Sequence, residues 1–291
     1  MKVFEKIYIE ISDYCALSCG FCPSGLRQTK RGEMDLGLFT SICEQIQGKA
    51  KRVCLHILGD PLGVGDFAAY VRILAHYGLK VDLVSTGLFL KERDFELLLQ
   101  NPFVQVSFSL SAFLANANVL KMAHLHRILD FCGAHIQRNA PIFINLRFHQ
   151  NDIMQESEKF KVMLETIRAY FGLPSCDLRQ GRIKLAPKIF LNPMPSFEWE
   201  QSMLEQRTYK SESKDSKPLC YGAHKQFGIL SNGELVPCCI DYNGRASFGN
   251  VRTQSMEGIL DSVRFLQFAQ NLKDGIAPCE LCEKCGYKMI L

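Results

Sequence analysis

Three cysteines near the start of the chain have the residue type and the spacing for metal chemistry. Cys15, Cys19 and Cys22 form a C-x3-C-x2-C pattern in the segment YCALSCGFCPS, directly after a run typical of a β-strand. A structural zinc site and an electron-transfer iron–sulfur cluster both use four protein ligands. Three thiolates can instead hold three irons of a [4Fe–4S] cluster, which leaves the fourth iron open. The pattern therefore predicts a cluster that binds a cofactor or a substrate directly.

A second group of six cysteines lies near the end of the chain. It comprises Cys220, Cys238, Cys239, Cys279, Cys282 and Cys285. Thiols that converge from a hairpin and a distant tail indicate a metal site, for which zinc is the alternative to an iron–sulfur cluster. We expect Cys239 to point away from Cys238, because successive side chains of a strand face opposite sides.

The composition limits where such a protein works and what it binds. Of 291 residues, 47% are hydrophobic, which is enough for one large domain and a smaller one. The first residues, MKVFEKIYIEIS, contain no secretory signal, and no apolar run is long enough to span a bilayer. We therefore expect a cytoplasmic protein with no membrane partner and with reduced cysteines. The net charge of +4 is too small to indicate nucleic acid.

The elements that must position these cysteines alternate between strands and helices. Short β-rich runs separated by amphipathic stretches predict βα units with parallel strands. The runs are KIYIEI, RVCLHIL, KVDLVST, VQVSFSL, PIFINLRF and RIKLAPKIFL. Six such units predict an α/β fold with a partial (βα)6 barrel, whose ligands bind at the carboxyl ends of the strands. The first three cysteines follow the first strand at that end.

The sequence predicts three segments along the chain. Residues 1–195 form the barrel, residues 196–217 a solvated linker with the charged run YKSESKDSKP, and residues 218–291 a small α+β domain. Within the last segment, FGILSNGELVPC predicts a hairpin with its turn at Asn232 and Gly233. The stretch SMEGILDSVRFLQFAQNL predicts one helix.

The N-terminal loop resembles the defining loop of the radical S-adenosylmethionine (SAM) superfamily, CxxxCx(aromatic)C, with Phe21 as the aromatic residue. The resemblance covers about residues 5–190 and implies a radical SAM type of partial (βα)6 barrel, in which the amino and carboxylate groups of SAM chelate the open iron. It also implies the chemistry. One electron, from a donor such as flavodoxin or ferredoxin, cleaves SAM to methionine and a 5′-deoxyadenosyl radical. That radical then removes a hydrogen atom from the substrate.

Five further positions are implied by the resemblance to contact SAM. The segment LGDP at the end of strand 2 stands where the family has a Gly-Gly-Glu-like segment, so a backbone contact from Gly59 is favoured over one from the Asp60 carboxylate. STG at the end of strand 3 is similar to the family's Thr-Asn-Gly and contributes Thr86, and SLSA at the end of strand 4 contributes Ser109. On strand 5, Arg147 is placed to pair with the SAM carboxylate or, alternatively, forms a surface ion pair.

The C-terminal run GILSNGELVPCCIDYNGRASFGNV resembles the SPASM/twitch extension of this superfamily, which binds auxiliary [4Fe–4S] clusters. A full SPASM domain holds two clusters on a larger set of cysteines than the six found here, so the twitch arrangement with one cluster fits better. The implied ligands are Cys220, Cys238, Cys279 and Cys282, with Cys285 as an alternative to Cys282. Because four thiolates leave no open iron, the implied role is to accept an electron as a small molecule is oxidised or a peptide is modified.

Two other functions stay open at this point. The basic run LRQTKR could indicate an RNA-modifying radical SAM enzyme, although no aromatic residues interleave it, so a nucleic-acid partner is not expected. The other is a non-catalytic iron–sulfur redox or maturation scaffold, although an open iron has no use in an electron carrier. The sequence assigns no catalytic acid or base, because Tyr8, Glu10, His56 and His149 are expected to be buried and hydrogen-bonded.

Overall fold

Strands and helices alternate along the chain in the computed structural model, which describes residues 3–155, 157–174, 178, 181–196 and 220–289. The strands are β1 (Phe4–Ile9), β2 (Ala50–Cys54), β3 (Val81–Ser85), β4 (Phe103–Ser109), β5 (Phe143–His149), β6 (Ile183–Ala186), β7 (Ile189–Met194), β8 (Gln226–Ile229), β9 (Glu234–Val236) and β10 (Gly249–Asn250). The helices are α1 (Leu36–Ile46), α2 (Phe67–His76), α3 (Phe95–Leu98), α4 (Leu110–Ala115), α5 (Met122–Arg138), α6 (Gln150–Gln155), α7 (Glu158–Phe171), α8 (Met256–Leu260), α9 (Val263–Lys273) and α10 (Glu280–Glu283). Beyond residue 196, the predicted linker lies outside the described residues.

Two compact units interleave along the sequence. The first comprises Met1–Tyr14, Phe21–Gly59 and Phe197–Leu291, and the second comprises Cys15–Gly20 and Asp60–Ser196. These units differ from the three segments expected from the sequence, because the C-terminal part of the chain groups with the first two strands. The reason lies in the strand pairing of the first unit.

In the first unit, β1 lies between two parallel neighbours, β2 and β8. Ile7 pairs with Val53 of β2 and with Phe227 of β8. Strand β9 is antiparallel to β8, and β10 is antiparallel to β9, so the order is β10-β9-β8-β1-β2. The side chains of Ile7, Ile9, Phe227 and Ile229 are fully buried. The C-terminal segment and the first strand therefore share one hydrophobic core.

The predicted hairpin near the C-terminal cysteines is formed by β8 and β9. Gly228 pairs with Val236, and the N–H of Gly233 donates to the carbonyl of Leu230 at 2.8 Å. Gly233 has a φ of +95°, a backbone conformation that favours glycine. Because the two strands of the hairpin are antiparallel, Cys238, which follows β9, lies at the same end of the hairpin as the residues that precede β8.

In the second unit, β3, β4, β5 and β7 form a parallel sheet, which confirms the predicted parallel arrangement. The run RIKLAPKIFL, predicted as one strand, is instead an antiparallel hairpin of β6 and β7. Its turn contains Lys188 with a φ of +62°, so the chain reverses there. The last parallel strand consequently begins at Ile189.

Aromatic contacts fix α5 and α7 against the sheet of the second unit. Phe131 of α5 makes edge-to-face contacts with Phe95 and Phe108, with ring centroids 5.2 and 5.5 Å apart. Phe160 of α7 contacts Phe148 of β5 in the same way. Such pairs add to the free energy gained from burying the rings. Among the helices within the described ranges, none combines the length and the apolar character needed to cross a bilayer.

The helix predicted from SMEGILDSVRFLQFAQNL is divided into α8 and α9. Ser262 caps the N-terminus of α9, because its side chain accepts a hydrogen bond from the N–H of Phe265. Ser255 caps α8 in the same way with the N–H of Gly258. The apolar periodicity continues through the break, which is why the sequence indicates a single helix.

Candidate functional site

Four C-terminal thiols line one cavity in the first unit. Cys220 precedes β8 and Cys238 follows β9, whereas Cys282 and Cys285 come from the tail around α10. Apolar side chains, among them Ile240, form much of the remaining wall. The hairpin and the tail therefore bring together cysteines that are more than 40 residues apart in sequence.

Cys279, at the N-terminal end of α10, is a fifth thiol next to this cavity. Its sulfur lies 3.7 Å from Cys282 Sγ. The hydrogen bond between these thiols lowers the pKa of Cys279 to about 6 and raises the pKa of Cys282. Burial raises the pKa of Cys238 well above its usual value. A metal that binds here must therefore displace the protons of Cys238 and Cys282.

The donor set of this cavity fits an iron–sulfur cluster. The C-terminal cysteines are half-buried thiols that form no disulfide. In the described parts of the chain, no three Cys, His, Asp or Glu side chains converge as ligands of one metal ion do. In a [4Fe–4S] cluster each thiolate binds a different iron, so the cluster does not need such convergence.

The sixth C-terminal cysteine, Cys239, belongs to a different environment. Its thiol is hydrogen-bonded with the hydroxyl of Tyr8 on β1, and burial raises the pKa of Cys239 to about 11. Burial also raises the pKa of Tyr8. Tyr8 lies in an apolar cluster with Leu58 and Val236, against which Cys22 and Cys239 pack. Tyr8 is accordingly a residue of the core.

The N-terminal cysteines, Cys15, Cys19 and Cys22, are half-buried thiols that form no disulfide. Cys15 and Cys19 belong to the second compact unit, and Cys22 belongs to the first. Phe21, the aromatic residue of the motif, is 38% exposed. That these three cysteines hold one cluster remains a prediction from their spacing.

Two buried carboxylates of the first unit hold the residues that precede and follow the cysteine loop. Asp13 accepts hydrogen bonds from the N–H groups of Arg31 and Gly32 at 2.9 and 3.0 Å, and it pairs with Arg27. Glu10, which is fully buried, pairs with the guanidinium of Arg31 at 2.9 Å. Burial raises the pKa of Glu10, although Arg31 opposes this effect. Glu10 is thus engaged in an internal ion pair.

Gly59 allows two parts of the first unit to approach closely. Its φ is +75°, and a Cβ at this position would lie 2.2 Å from the carbonyl oxygen of Ser12 and 2.9 Å from that of Tyr14. Both oxygens belong to the backbone just before Cys15, which has little freedom to move away. A side chain at position 59 would therefore displace the start of the cysteine loop.

Asp60 and Thr86 are engaged with each other in the second unit. The Asp60 carboxylate accepts hydrogen bonds from the N–H of Leu62 at 3.2 Å and from the N–H of Thr86 at 3.0 Å. It also accepts a hydrogen bond from the Thr86 hydroxyl. Asp60 is only 1% exposed. The hydrogen bonds of Asp60 thus connect the turn after residue 59 to Thr86, directly after β3.

Ser109 and Arg147 lie side by side at the carboxyl ends of β4 and β5. In the strand register, Ser109 lies opposite Arg147, and Arg147 lies opposite Asn192 of β7. Paired residues of neighbouring strands point to the same face, so Ser109, Arg147 and Asn192 form one polar row. Asn192 is not among the positions expected from the sequence. The sequence feature that could have identified Asn192 is its position as a single amide within the apolar run IFLNPM.

A hydrogen-bond network fixes the backbone at the end of β5. The Ser111 hydroxyl donates to Asp152 Oδ2 at 2.6 Å. The backbone N–H of His149 donates to both Ser111 Oγ and Asp152 Oδ2. Burial lowers the pKa of the His149 side chain, although Asp152 opposes this effect. The neutral imidazole is therefore favoured at neutral pH.

Comparisons with known proteins agree with this arrangement. The family model of the SPASM domain, an iron–sulfur cluster-binding domain, matches residues 220–286, which contain the thiol-lined cavity. The S-adenosyl-L-methionine-dependent 2-deoxy-scyllo-inosamine dehydrogenase of Niallia circulans is 28% identical over 98% of this chain and 94% of that protein. The crystal structure of BtrN with AdoMet and 2-DOIA has a TM-score of 0.58 at 17% identity, covering 100% of this chain and 99% of that chain.

Residues 220–286 match the SPASM domain, and the sequence and structure comparisons support the predicted resemblance of the whole chain to radical SAM proteins. A further similar structure is anSMEcpe with bound AdoMet and the Cp18Cys peptide, with a TM-score of 0.60 at 15% identity over 98% of this chain and 87% of that chain. The predicted family and fold class are confirmed. SAM, a [4Fe–4S] cluster and auxiliary iron–sulfur clusters are the cofactors of radical SAM proteins with a SPASM domain, as the sequence predicted.

Proposed function

We propose that this protein is a SAM-dependent dehydrogenase that oxidises an alcohol of a small polar molecule. The proposed SAM-binding cluster has Cys15, Cys19 and Cys22 as ligands. When bound and reduced, that cluster supplies the electron that cleaves SAM to the radical which removes the substrate hydrogen. The residues of the chain hold the cofactors, orient SAM and substrate, and conduct the second electron of the oxidation away.

The observation that carries this proposal is the second, thiol-rich cavity at the C-terminal end. Oxidation of an alcohol to a ketone removes two electrons and two protons. Hydrogen-atom removal accounts for one of each, so the remaining electron needs an acceptor, and the remaining hydroxyl proton passes to a base or to solvent water. Four lining thiols and the neighbouring Cys279 are sufficient to ligate every iron of an auxiliary cluster. Such a saturated site is suited to electron transfer rather than to substrate binding.

The proposed ligands of the auxiliary cluster are Cys220, Cys238, Cys282 and one of two further thiols. Cys285 lines the cavity, whereas Cys279 is the thiol in contact with Cys282. We favour Cys285, because a ligand must face the space that the cluster occupies. Single alanine variants at positions 279 and 285 decide between them, since only the loss of a true ligand should lower the auxiliary iron content.

The polar row of the second unit is the proposed contact surface for SAM. Arg147 has the planar guanidinium that pairs well with a carboxylate, and Ser109 and Asn192 flank it on neighbouring strands. The remaining proposed contacts are the side chain of Phe21 and the backbone at Gly59. Asp60 and Thr86 are proposed to support that surface through their mutual hydrogen bonds, rather than to bind SAM with their side chains.

The small-molecule substrate is favoured by the full-length similarity to the dehydrogenase. The match covers 98% of this chain and 94% of the 2-deoxy-scyllo-inosamine dehydrogenase, so the two chains are similar over nearly their whole length. A peptide is the other substrate class, and a ferredoxin or flavodoxin is the proposed electron donor. A cytoplasmic location follows from this proposal, because the clusters require a reducing compartment.

The first experiment tests the two clusters and the radical chemistry together. We expect the anaerobically reconstituted protein to contain about eight irons, four per cluster. With a strong reductant and SAM it should form 5′-deoxyadenosine slowly, even without substrate. The variant with alanine at positions 15, 19 and 22 should lose about half of the iron and form no 5′-deoxyadenosine. Unchanged iron in that variant, or a methylated product instead of 5′-deoxyadenosine, would contradict the proposal.

The second experiment searches for the substrate. Polyols, aminocyclitols and peptides are screened for those that accelerate 5′-deoxyadenosine formation. An alcohol deuterated at the reacting carbon should transfer deuterium to 5′-deoxyadenosine and yield a ketone. Acceleration by peptides alone would assign the protein to the peptide-modifying class.

A further inference from the structure

Asn116, which follows α4, contacts one of the proposed ligands of the SAM-binding cluster. Its side-chain amide donates a hydrogen bond to Cys19 Sγ, with 3.0 Å between Nδ2 and the sulfur. The same side chain accepts a hydrogen bond from the N–H of Ser18 at 3.1 Å. All three residues belong to the second compact unit. One amide thus binds both the backbone and the thiol of the cysteine loop.

The surroundings of Asn116 determine the orientation of its amide. Nδ2 has two hydrogens, of which one is directed at Cys19 and the other at the carbonyl of Ala112, 2.9 Å away. In the reversed orientation, Oδ1 would face the Ala112 oxygen and a thiolate, and Nδ2 would face the N–H of Ser18. All three contacts would be unfavourable, so the donor faces the sulfur.

The backbone holds Asn116 in place independently of the cysteine loop. Its N–H donates to the carbonyl of Ala112 at 3.1 Å, and its carbonyl accepts hydrogen bonds from Val119 and Leu120 at 3.0 and 2.8 Å. An amide fixed in this way loses little conformational entropy when it binds the thiolate. The contact is therefore preorganised.

We propose that Asn116 is a positioning residue that raises the reduction potential of the SAM-binding cluster through its hydrogen bond to Cys19. The proposal rests on the assignment of Cys19 as a ligand. Reduction adds negative charge to the cluster and its sulfurs, so a fixed N–H donor stabilises the reduced form more than the oxidised form. A protein that must deliver an electron to SAM needs a cluster that its physiological donor can reduce, and this hydrogen bond favours that reduction.

The test measures the midpoint potential of the N-terminal cluster in the reconstituted holoprotein. Electron paramagnetic resonance monitors a redox titration without SAM, and the auxiliary cluster serves as the reference in the same sample. Asn116→Asp keeps an acceptor for Ser18 but loses both N–H donors and adds charge. We expect the ratio of reduced to oxidised N-terminal cluster at a fixed potential to fall about tenfold, which is ~59 mV for one electron. Asn116→Ala should shift it less in the same direction, because it adds no charge.

The matched controls are Asn118→Asp and Asn118→Ala, which make the same changes two residues away at an exposed position. They should leave both potentials unchanged. Equal potentials in wild type and both Asn116 variants, at full iron content, would overturn the inference while leaving the proposed function intact. Loss of the N-terminal cluster from both Asn116 variants, with the auxiliary signal and the Asn118 controls intact, would overturn the inference, because Asn116 would then be required for cluster assembly rather than for its potential. If the wild type itself binds no N-terminal cluster, the proposed function fails, and the inference fails with it.

Discussion

At the scale of single residues, Gly59 is a position where an added side chain would collide with the backbone. We expect Gly59→Ala to lower the free energy of unfolding by about 2–4 kcal/mol, from a strained positive φ and from overpacking against two backbone oxygens. Gly48 is the matched control, because it has a φ of +70° but a Cβ added there would meet no atom within 4 Å. Gly48→Ala should therefore cost only about 1 kcal/mol. Chemical denaturation of the two variants measures the difference, and equal losses would mean that the close approach has no energetic consequence.

Some residues of the candidate site can be recognised from the sequence, and others cannot. The cysteine spacings are local, so they indicate the proposed ligands directly. Asn116 and Asn192 gain their positions from the turn after α4 and from the register of β7 against β5, neither of which is encoded in a local pattern. At the segment LGDP the sequence favours a backbone contact from Gly59 over one from the Asp60 carboxylate, and in the structure that carboxylate accepts hydrogen bonds from Thr86.

At the scale of elements, His135 joins the C-terminal part of α5 to the chain before β5. Its Nε2 is 2.8 Å from the carbonyl oxygen of Ile142, and burial lowers the pKa of His135, with a smaller effect from Lys188. Because the folded pKa lies below the unfolded value of about 6.5, the unfolded chain binds more protons between these two values. The stabilisation is therefore complete above about pH 6.5 and is lost as the pH falls through that window. We expect His135→Gln to weaken the decrease in unfolding temperature between about pH 7.5 and 5.5.

The control for this pH effect is His76→Gln, at an exposed position at the end of α2. It shows how the loss of an exposed imidazole affects the pH dependence of the unfolding temperature. Anaerobic thermal unfolding of the three proteins at both pH values provides the measurement. A slope in His135→Gln as steep as in the wild type would show that another group causes the acid destabilisation.

Elements were predicted well where periodicity alone defines them and poorly where a single residue ends them. The first five β-rich runs, from KIYIEI to PIFINLRF, correspond to β1–β5. RIKLAPKIFL was assigned to one strand because its turn uses Lys188 at positive φ, a conformation for which glycine or asparagine is the usual signal. The break between α8 and α9 depends on the Ser262 cap, which the apolar periodicity conceals.

At the scale of the whole molecule, the two proposed clusters should respond differently to SAM. A cluster on three thiolates has an open iron, so adding SAM should change the electron paramagnetic resonance spectrum of the N-terminal cluster. The auxiliary cluster has four thiolates and no open iron, so its spectrum should stay the same. Replacement of Cys279, Cys282 and Cys285 by alanine should remove the auxiliary signal while keeping the response to SAM.

That triple variant also separates SAM cleavage from substrate oxidation. It should still form 5′-deoxyadenosine with a strong reductant, because the SAM-binding residues are unchanged, but it should not complete the oxidation of a substrate. Cys43→Ala is the control, because it removes a buried thiol of α1 that belongs to neither group of cysteines. It should retain both signals and both activities. If instead the C-terminal signal shifts on addition of SAM and the N-terminal one does not, the roles of the two clusters are reversed, and the open iron lies in the SPASM domain.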